Sequence, residues 1–242
     1  MNNPTLCDII ISMKTSQTWA CPNEKYIYIL LTRTGGIVPA VIRAASGARF
    51  NHVAVSFSPD LEKIYSFARL HRSSPLVGGP VCECLDRYTT GNKRIVPAVL
   101  FALKVSGSEY EKAYSAVKKI FSDREYIYNL LSVVSMPLSG GFRMYKAYSC
   151  SEFAANILRK AGLDAGIPTW QCTPDDIFRL LLRLPRTRST PIYSGDIRGC
   201  LGRRCRDIEI MSAFSEPELY RLISETLYFA FETARRLICR AT

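Results

Sequence analysis

The tetrapeptide Ser149-Cys150-Ser151-Glu152 puts a nucleophilic residue type where helix geometry could activate it. Ser149 and Glu152 have the S-x-x-E spacing of a capping box, which makes Ser149 the N-cap and Cys150 the first helical residue. Unpaired backbone N–H groups and the positive end of the helix dipole gather there and favour thiolate, the form that attacks a carbonyl. Such a nucleophile needs a base, normally histidine, and the chain offers only His52 and His71. His52 opens the alternating run His52-Val-Ala-Val-Ser-Phe57, in which His52, Ala54 and Ser56 share one face and leave room for the cysteine helix. His71 precedes Arg72-Ser-Ser-Pro75 and reads as a solvated loop residue. A third polar group should orient the imidazole. Ser66 and Glu83 are the candidates, and Glu83 is favoured because a carboxylate holds the tautomer and stabilises imidazolium. The backbone N–H of Cys150 would supply one oxyanion donor. The plain alternative makes Cys150 a buried structural thiol, His52 a satisfied strand-end residue and Glu83 an exposed strand residue.

These residues need a sheet and a helix to bring them together. Tyr26 to Leu31 reads as a strand, Ile37 to Ala45 as a short helix, and His52–Phe57 with Lys63–Phe67 as a hairpin around Ser58-Pro-Asp60. Pro75 to Pro80 reads as a loop, Val81 to Leu85 as a short strand, and Arg94 to Val105 as a long strand whose Pro97 predicts an edge position or a bulge. Helices are expected from Ser108 to Phe121, from Ser149 to Ala161, and from Thr173-Pro-Asp-Asp176 to Arg183. Ile192-Tyr193 reads as a last short strand, and Glu216 to Arg240 has helical periodicity. Strands followed by helices predict an α+β fold, an antiparallel sheet packed on the helix that carries Cys150. The expected organisation is an extension over 1–22, a catalytic domain over 23–195, and a basic extension over 196–242 with an amphipathic helix. Loops at 69–91 and 135–146 should line the pocket, Gly140-Gly141 reading equally as a mobile loop or a plain connector, with Arg69, Tyr148 and Ser149 as substrate-binding candidates.

Composition narrows the classes. The 242 residues are 48% hydrophobic and 22% charged, a globular balance with no long apolar run. The nine cysteines lack paired zinc-knuckle spacings, so neither metal nor cofactor is expected and most read as reduced thiols. With no signal-like start, that points to the cytoplasm. A net charge of +11 is concentrated between Arg183 and Arg206 and allows contact with an anionic membrane surface. Nucleic acid is disfavoured, because no reading motif accompanies the charge.

The segments Phe50-Asn-His-Val-Ala-Val-Ser-Phe57, Ile64-Tyr-Ser-Phe-Ala-Arg69 and Tyr148-Ser-Cys-Ser-Glu-Phe-Ala-Ala-Asn-Ile-Leu158, in that order, resemble the circularly permuted NlpC-type, papain-like cysteine hydrolases. That group includes YiiX-like bacterial proteins and is related to the lecithin:retinol acyltransferase family. The resemblance covers Tyr26 to Tyr193 and implies a permuted papain-like fold, with the histidine strand ahead of the cysteine helix. It also implies Cys150 as nucleophile and His52 as general base. The expected activity is thiol-dependent cleavage of an amide bond in a peptide, isopeptide or cell-wall-derived fragment. The alternatives are an acyltransferase or esterase acting on lipid at an anionic membrane, and an inactive binding protein.

Overall fold

The computed structural model describes residues 24–34, 47–70, 77–89, 96–197 and 219–238, together with Leu6. In chain order the elements are β1 (Lys25–Thr32), β2 (His52–Ser56), β3 (Ile64–Arg69), β4 (Gly78–Glu83), α1 (Leu85–Thr89), β5 (Val96–Val105), α2 (Gly107–Ser122), β6 (Ile127–Tyr128), α3 (Leu130–Ser139), β7 (Ala147–Tyr148), α4 (Cys150–Lys160), a 3-10 turn (Thr169–Gln171), α5 (Pro174–Arg183), β8 (Ser189–Ile197) and α6 (Leu219–Ile238). The predicted helix over 37–45, His71 and the basic stretch from Arg198 to Arg206 lie outside the described residues.

The architecture is α+β. Six strands form one antiparallel sheet in the order β4-β3-β2-β1-β5-β8, and β6 and β7 form a short parallel bridge. Both faces of the sheet are covered, which is why β1 reads as a continuous apolar run rather than an alternating one. On one face Ile29, Leu31, Val53, Val55 and Phe67 meet α2, α4 and α5 through residues such as Val117, Phe153 and Ile177. On the other, Leu30, Ala54, Ile64 and Leu100 pack with Leu6 and Leu85. Phe67, Phe101 and Phe153 are wholly buried, each worth about 1.5–3 kcal/mol of transfer free energy.

The helices obey their end signals. Ser106 and Glu109 close a capping box on α2, and Thr173 and Asp176 close another on α5. Asp175, in the first turn of α5, accepts from the backbone N–H groups of Arg49 and Phe50 at 2.8 and 2.9 Å. Asn51 bonds Thr34 through both amide atoms. The chain therefore enters β2 at His52 already fixed in place.

Several elements differ from expectation. The helix α4 packs on the Val53 and Val55 face of β2, opposite the face shared by His52 and Ala54. Only two register pairs join β2 to β3, Val55 with Tyr65 and Ser56 with Ile64, so His52 lies beyond the stretch paired with β3 and keeps its pairing with Thr32 of β1. Strand β5 is interior, between β1 and β8. Pro97 is tolerated there because it lies past the last β1 pair, Thr32 with Ala98, where only its carbonyl is used, by Arg33 N–H at 2.8 Å. A register shift does occur at Leu100/Phe101. Strand β8 runs over nine residues, Ser189–Ile197, through Pro191 and Gly195, where only a short strand at Ile192-Tyr193 was expected. Gly140 is the left-handed C-cap of α3, a helix where a loop was expected.

Gly78 and Gly79 belong to β4, although they read as a loop. A Cβ on Gly78 would lie 2.7 Å from Tyr128 Cβ and 3.0 Å from the Ala68 carbonyl oxygen. The glycines let β6 cross close over the strand. Gly78→Ala should therefore lower stability by about 1–3 kcal/mol through overpacking. Gly107→Ala, where nothing lies within 4 Å of the new Cβ, should stay within about 1 kcal/mol of wild type. Urea unfolding of both variants measures the difference, and equal midpoints would contradict the close approach.

Candidate active site

Ser149 caps α4 as its sequence requires, its hydroxyl accepting from Glu152 N–H at 3.1 Å, and Cys150 is the first helical residue. Only this half of the capping box meets hydrogen-bond geometry, though the Ser149 N–H still faces the Glu152 carboxyl closely enough to draw its pKa down. The start of α4 is held to the neighbouring segment by Asn129, whose N–H donates to the Tyr148 carbonyl at 3.0 Å. Asn129 also caps α3 and bonds the Phe142 carbonyl. Cys150 is 5% exposed, packed in the core face that holds Phe153 and Val53.

His52 and Glu83 meet with Nε2 and Oε2 2.8 Å apart, at 9% and 2% exposure. Cys150 lies close enough to the same imidazole to favour its proton. With Nε2 committed to Glu83, Nδ1 is the nitrogen left for the thiol. Three groups expected to act together, Cys150, His52 and Glu83, are thus contiguous in the structure.

Burial opposes a charge on His52, but the Glu83 carboxylate, with Cys150 and the hydrogen bond to Glu83, raises its pKa to about 10. Burial likewise opposes a charge on Glu83, yet His52, Arg87 and Tyr88 hold it at about 2. The pair is therefore buried as imidazolium and carboxylate.

Arg87 and Tyr88, on the short helix α1, carry no motif and were missed from sequence. Tyr88 donates to Glu83 Oε2 at 2.5 Å and its ring lies 5.8 Å from that of His52. Arg87 lies 3.5 Å from Glu83 Oε1 and also donates to the Arg69 carbonyl at 2.5 Å. Tyr128 was missed as well. Burial holds its hydroxyl protonated, and the charges of Cys150, Arg69 and Glu83 act on it. Its approach to Gly78 is a tertiary contact that the sequence does not signal.

The other sequence candidates have different surroundings. Ser66 donates to the Val53 carbonyl at 3.0 Å and lies 3.4 Å from His52 Nε2, so it links β3 to β2 where their ladder stops. The Ser149 hydroxyl is shared between the cap and Ser151. Tyr148 stacks on Phe67 and Tyr126. Arg69 is half-buried, its pKa lowered by burial and by Arg87, with Tyr128 acting the other way.

Among the described residues, no group of three or more His, Cys, Asp or Glu side chains is gathered as a metal would need. Cys82, Cys150 and Cys172 are not disulfide-bonded, whereas Cys84 is. Comparison of the chain with protein families, with curated proteins and with solved structures returned no match.

Glu152, two residues beyond Cys150, is 2% exposed, and its Oε2 has no hydrogen-bond partner. Burial raises its pKa to about 8, with Arg143 and the Ser149 N–H acting the other way. The folded state thus binds this proton more tightly than the unfolded chain, whose carboxyl keeps the ordinary value near 4.5. Its contribution to stability is complete below that value and is lost as pH rises through about 8. Urea unfolding across pH should show wild type losing stability relative to Glu152→Gln by up to ~1.4 kcal/mol per pH unit in that window. Parallel pH profiles for the two proteins would contradict the buried acid.

Proposed function

We propose that this chain is a thiol hydrolase that cleaves an amide bond, with Cys150 as nucleophile, His52 as the proton-transfer group and Glu83 as the residue that orients it. One observation carries the reading: Cys150 acts on an imidazole that is held at 2.8 Å by a buried carboxylate. A structural thiol needs no such partner. The histidine strand precedes the cysteine helix, and that order fits the permuted papain-like arrangement proposed here.

In the proposed reaction the Cys150 sulfur attacks the amide carbonyl carbon, its proton residing on His52. The oxyanion is met by the Cys150 backbone N–H at the start of α4. As the C–N bond breaks, His52 gives its proton to the departing amine and a thioester remains on Cys150. Water, losing a proton to His52, then attacks the thioester, releases the acid and restores the thiol. Glu83 keeps Nε2 protonated throughout. An ester or lipid acyl donor would pass through the same thioester and differ in the acceptor. The exposed apolar face of α6, including Leu227 and Phe231, is the observation that favours this second reading. Cytoplasmic placement fits the unbridged Cys82, Cys150 and Cys172 and is opposed by the Cys84 disulfide.

Alkylation with iodoacetamide, followed by peptide mapping, tests the pair without a known substrate. Exposure alone ranks the partly exposed Cys82 ahead of the buried Cys150. The proposal expects the reverse at neutral pH, by about tenfold, with the advantage lost in His52→Ala. Against an amide library, Cys150→Ala should be inactive and Glu83→Gln reduced by ~10³-fold or more. Slow, His52-independent labelling of Cys150 would leave a binding role instead.

A further inference from the structure

We infer that α6, together with α3, is a docking surface for an anionic lipid bilayer. The helix α6 is mounted with its polar side inward. Arg236 is 4% exposed and donates to the carbonyls of Glu125, Lys146 and Tyr145 at 2.6, 2.8 and 3.2 Å. Glu232 is buried beside it, and Phe229 packs on the cluster of Ile127, Met144 and Ala147. The opposite side is apolar and exposed, with Tyr220 at 81%, Ile238 at 69%, and Ile223, Leu227 and Phe231 at half or more. A helix that spends its polar side on the protein and leaves its apolar side to solvent is built to cover something.

Charge selects the occupant. Both acids of α6 are turned away from the exposed side, Glu225 half-buried and Glu232 buried, and pair with Arg221 and Arg235. The exposed charged residues of α6 are those two arginines. The helix α3 carries no charged residue and exposes Leu131, Val134 and Leu138, the last at 94%. Phe142 joins the two, accepting from Asn129 at the cap of α3 and packing in the cluster with Phe229 of α6. An acid-free apolar surface on a chain of net charge +11 matches an anionic headgroup layer. A symmetric pairing of two copies would instead bring Arg221 and Arg235 of one copy toward those of the other. Among the described residues no helix is long and apolar enough to cross a membrane, so α6 would lie in the interface, its tyrosines at headgroup depth.

Docking does not depend on the thiol chemistry, and the test separates the two. Full-length protein and Cys150→Ala are sedimented with vesicles of phosphatidylcholine alone or mixed with phosphatidylserine. Both proteins should bind the anionic vesicles, about tenfold more tightly than the neutral ones. Leu227→Gln/Phe231→Gln and Leu138→Gln, all at exposed positions, should weaken binding about tenfold with unchanged thermal unfolding. Arg221→Gln/Arg235→Gln should remove the preference for anionic lipid. Equal partition of wild type and Leu227→Gln/Phe231→Gln, or no sedimentation with either vesicle, would overturn the assignment. So would a concentration-dependent dimer in light scattering that Phe231→Gln abolishes, since a second copy would then own the face.

Discussion

His52 and Glu83 are buried together, and neither could be buried charged alone, because the desolvation of one ion is offset only by its neighbour. Much of the sheet's irregularity serves that contact. The ladder between β2 and β3 stops after two register pairs, and Ser66 takes up the Val53 carbonyl beyond it. The short helix after β4 exists to return Arg87 and Tyr88 onto Glu83. Asp175 and Asn51 fix the backbone just ahead of His52. A pair with this much support resembles a preorganised proton relay more than a strand-end histidine at rest.

Glu152 is the internal control. It is as buried as Glu83, yet the two carboxyls stand about 6 pK units apart, near 8 and near 2. Burial pushes both upward, so the difference comes from partners: an imidazolium, an arginine and a phenol around Glu83, against an unpaired Oε2 on Glu152. Near neutral pH one is a fixed anion and the other a neutral acid, although both are strand- or helix-end glutamates of the same chain.

The parts of the site written in local sequence were legible, and those written in tertiary contact were not. The cap at Ser149, the helix start at Cys150 and the strand at His52 follow from capping and periodicity, and Glu83 followed from the needs of an imidazole. Strand alternation put α4 on the wrong face of β2, because His52 is in register with Thr32 of β1 while α4 buries the apolar Val53 and Val55 face. Gly78-Gly79 looked like a loop because glycine signals either a turn or a close crossing, and only the position of Tyr128 decides which. The strand β8 was shortened by Pro191 and Gly195, which an edge strand tolerates. Arg87 and Tyr88 act through a fold that brings α1 back on β4, and no spacing rule encodes that.

The same segment that aims the thiol also carries the helix with the outward apolar face. Between Glu125 and Tyr148 the chain leaves through β6, turns through α3, and returns through β7 into Ser149 and Cys150. Arg236 of α6 binds carbonyls at both ends of that excursion, Glu125 before β6 and Lys146 before β7, and Ile127 N–H shares the Lys146 carbonyl at 3.0 Å. Lys146 itself has a φ of 45°, a conformation costly for a non-glycine residue, held by its ion pairs with Asp123 and Glu125. The chain on either side of Tyr128 is therefore tied to α6 by the Arg236 guanidinium and by Phe229, which packs on Ile127, Met144 and Ala147. The His52–Glu83 pair is anchored to the sheet and to α1, whereas Cys150 opens the helix that follows the segment α6 holds.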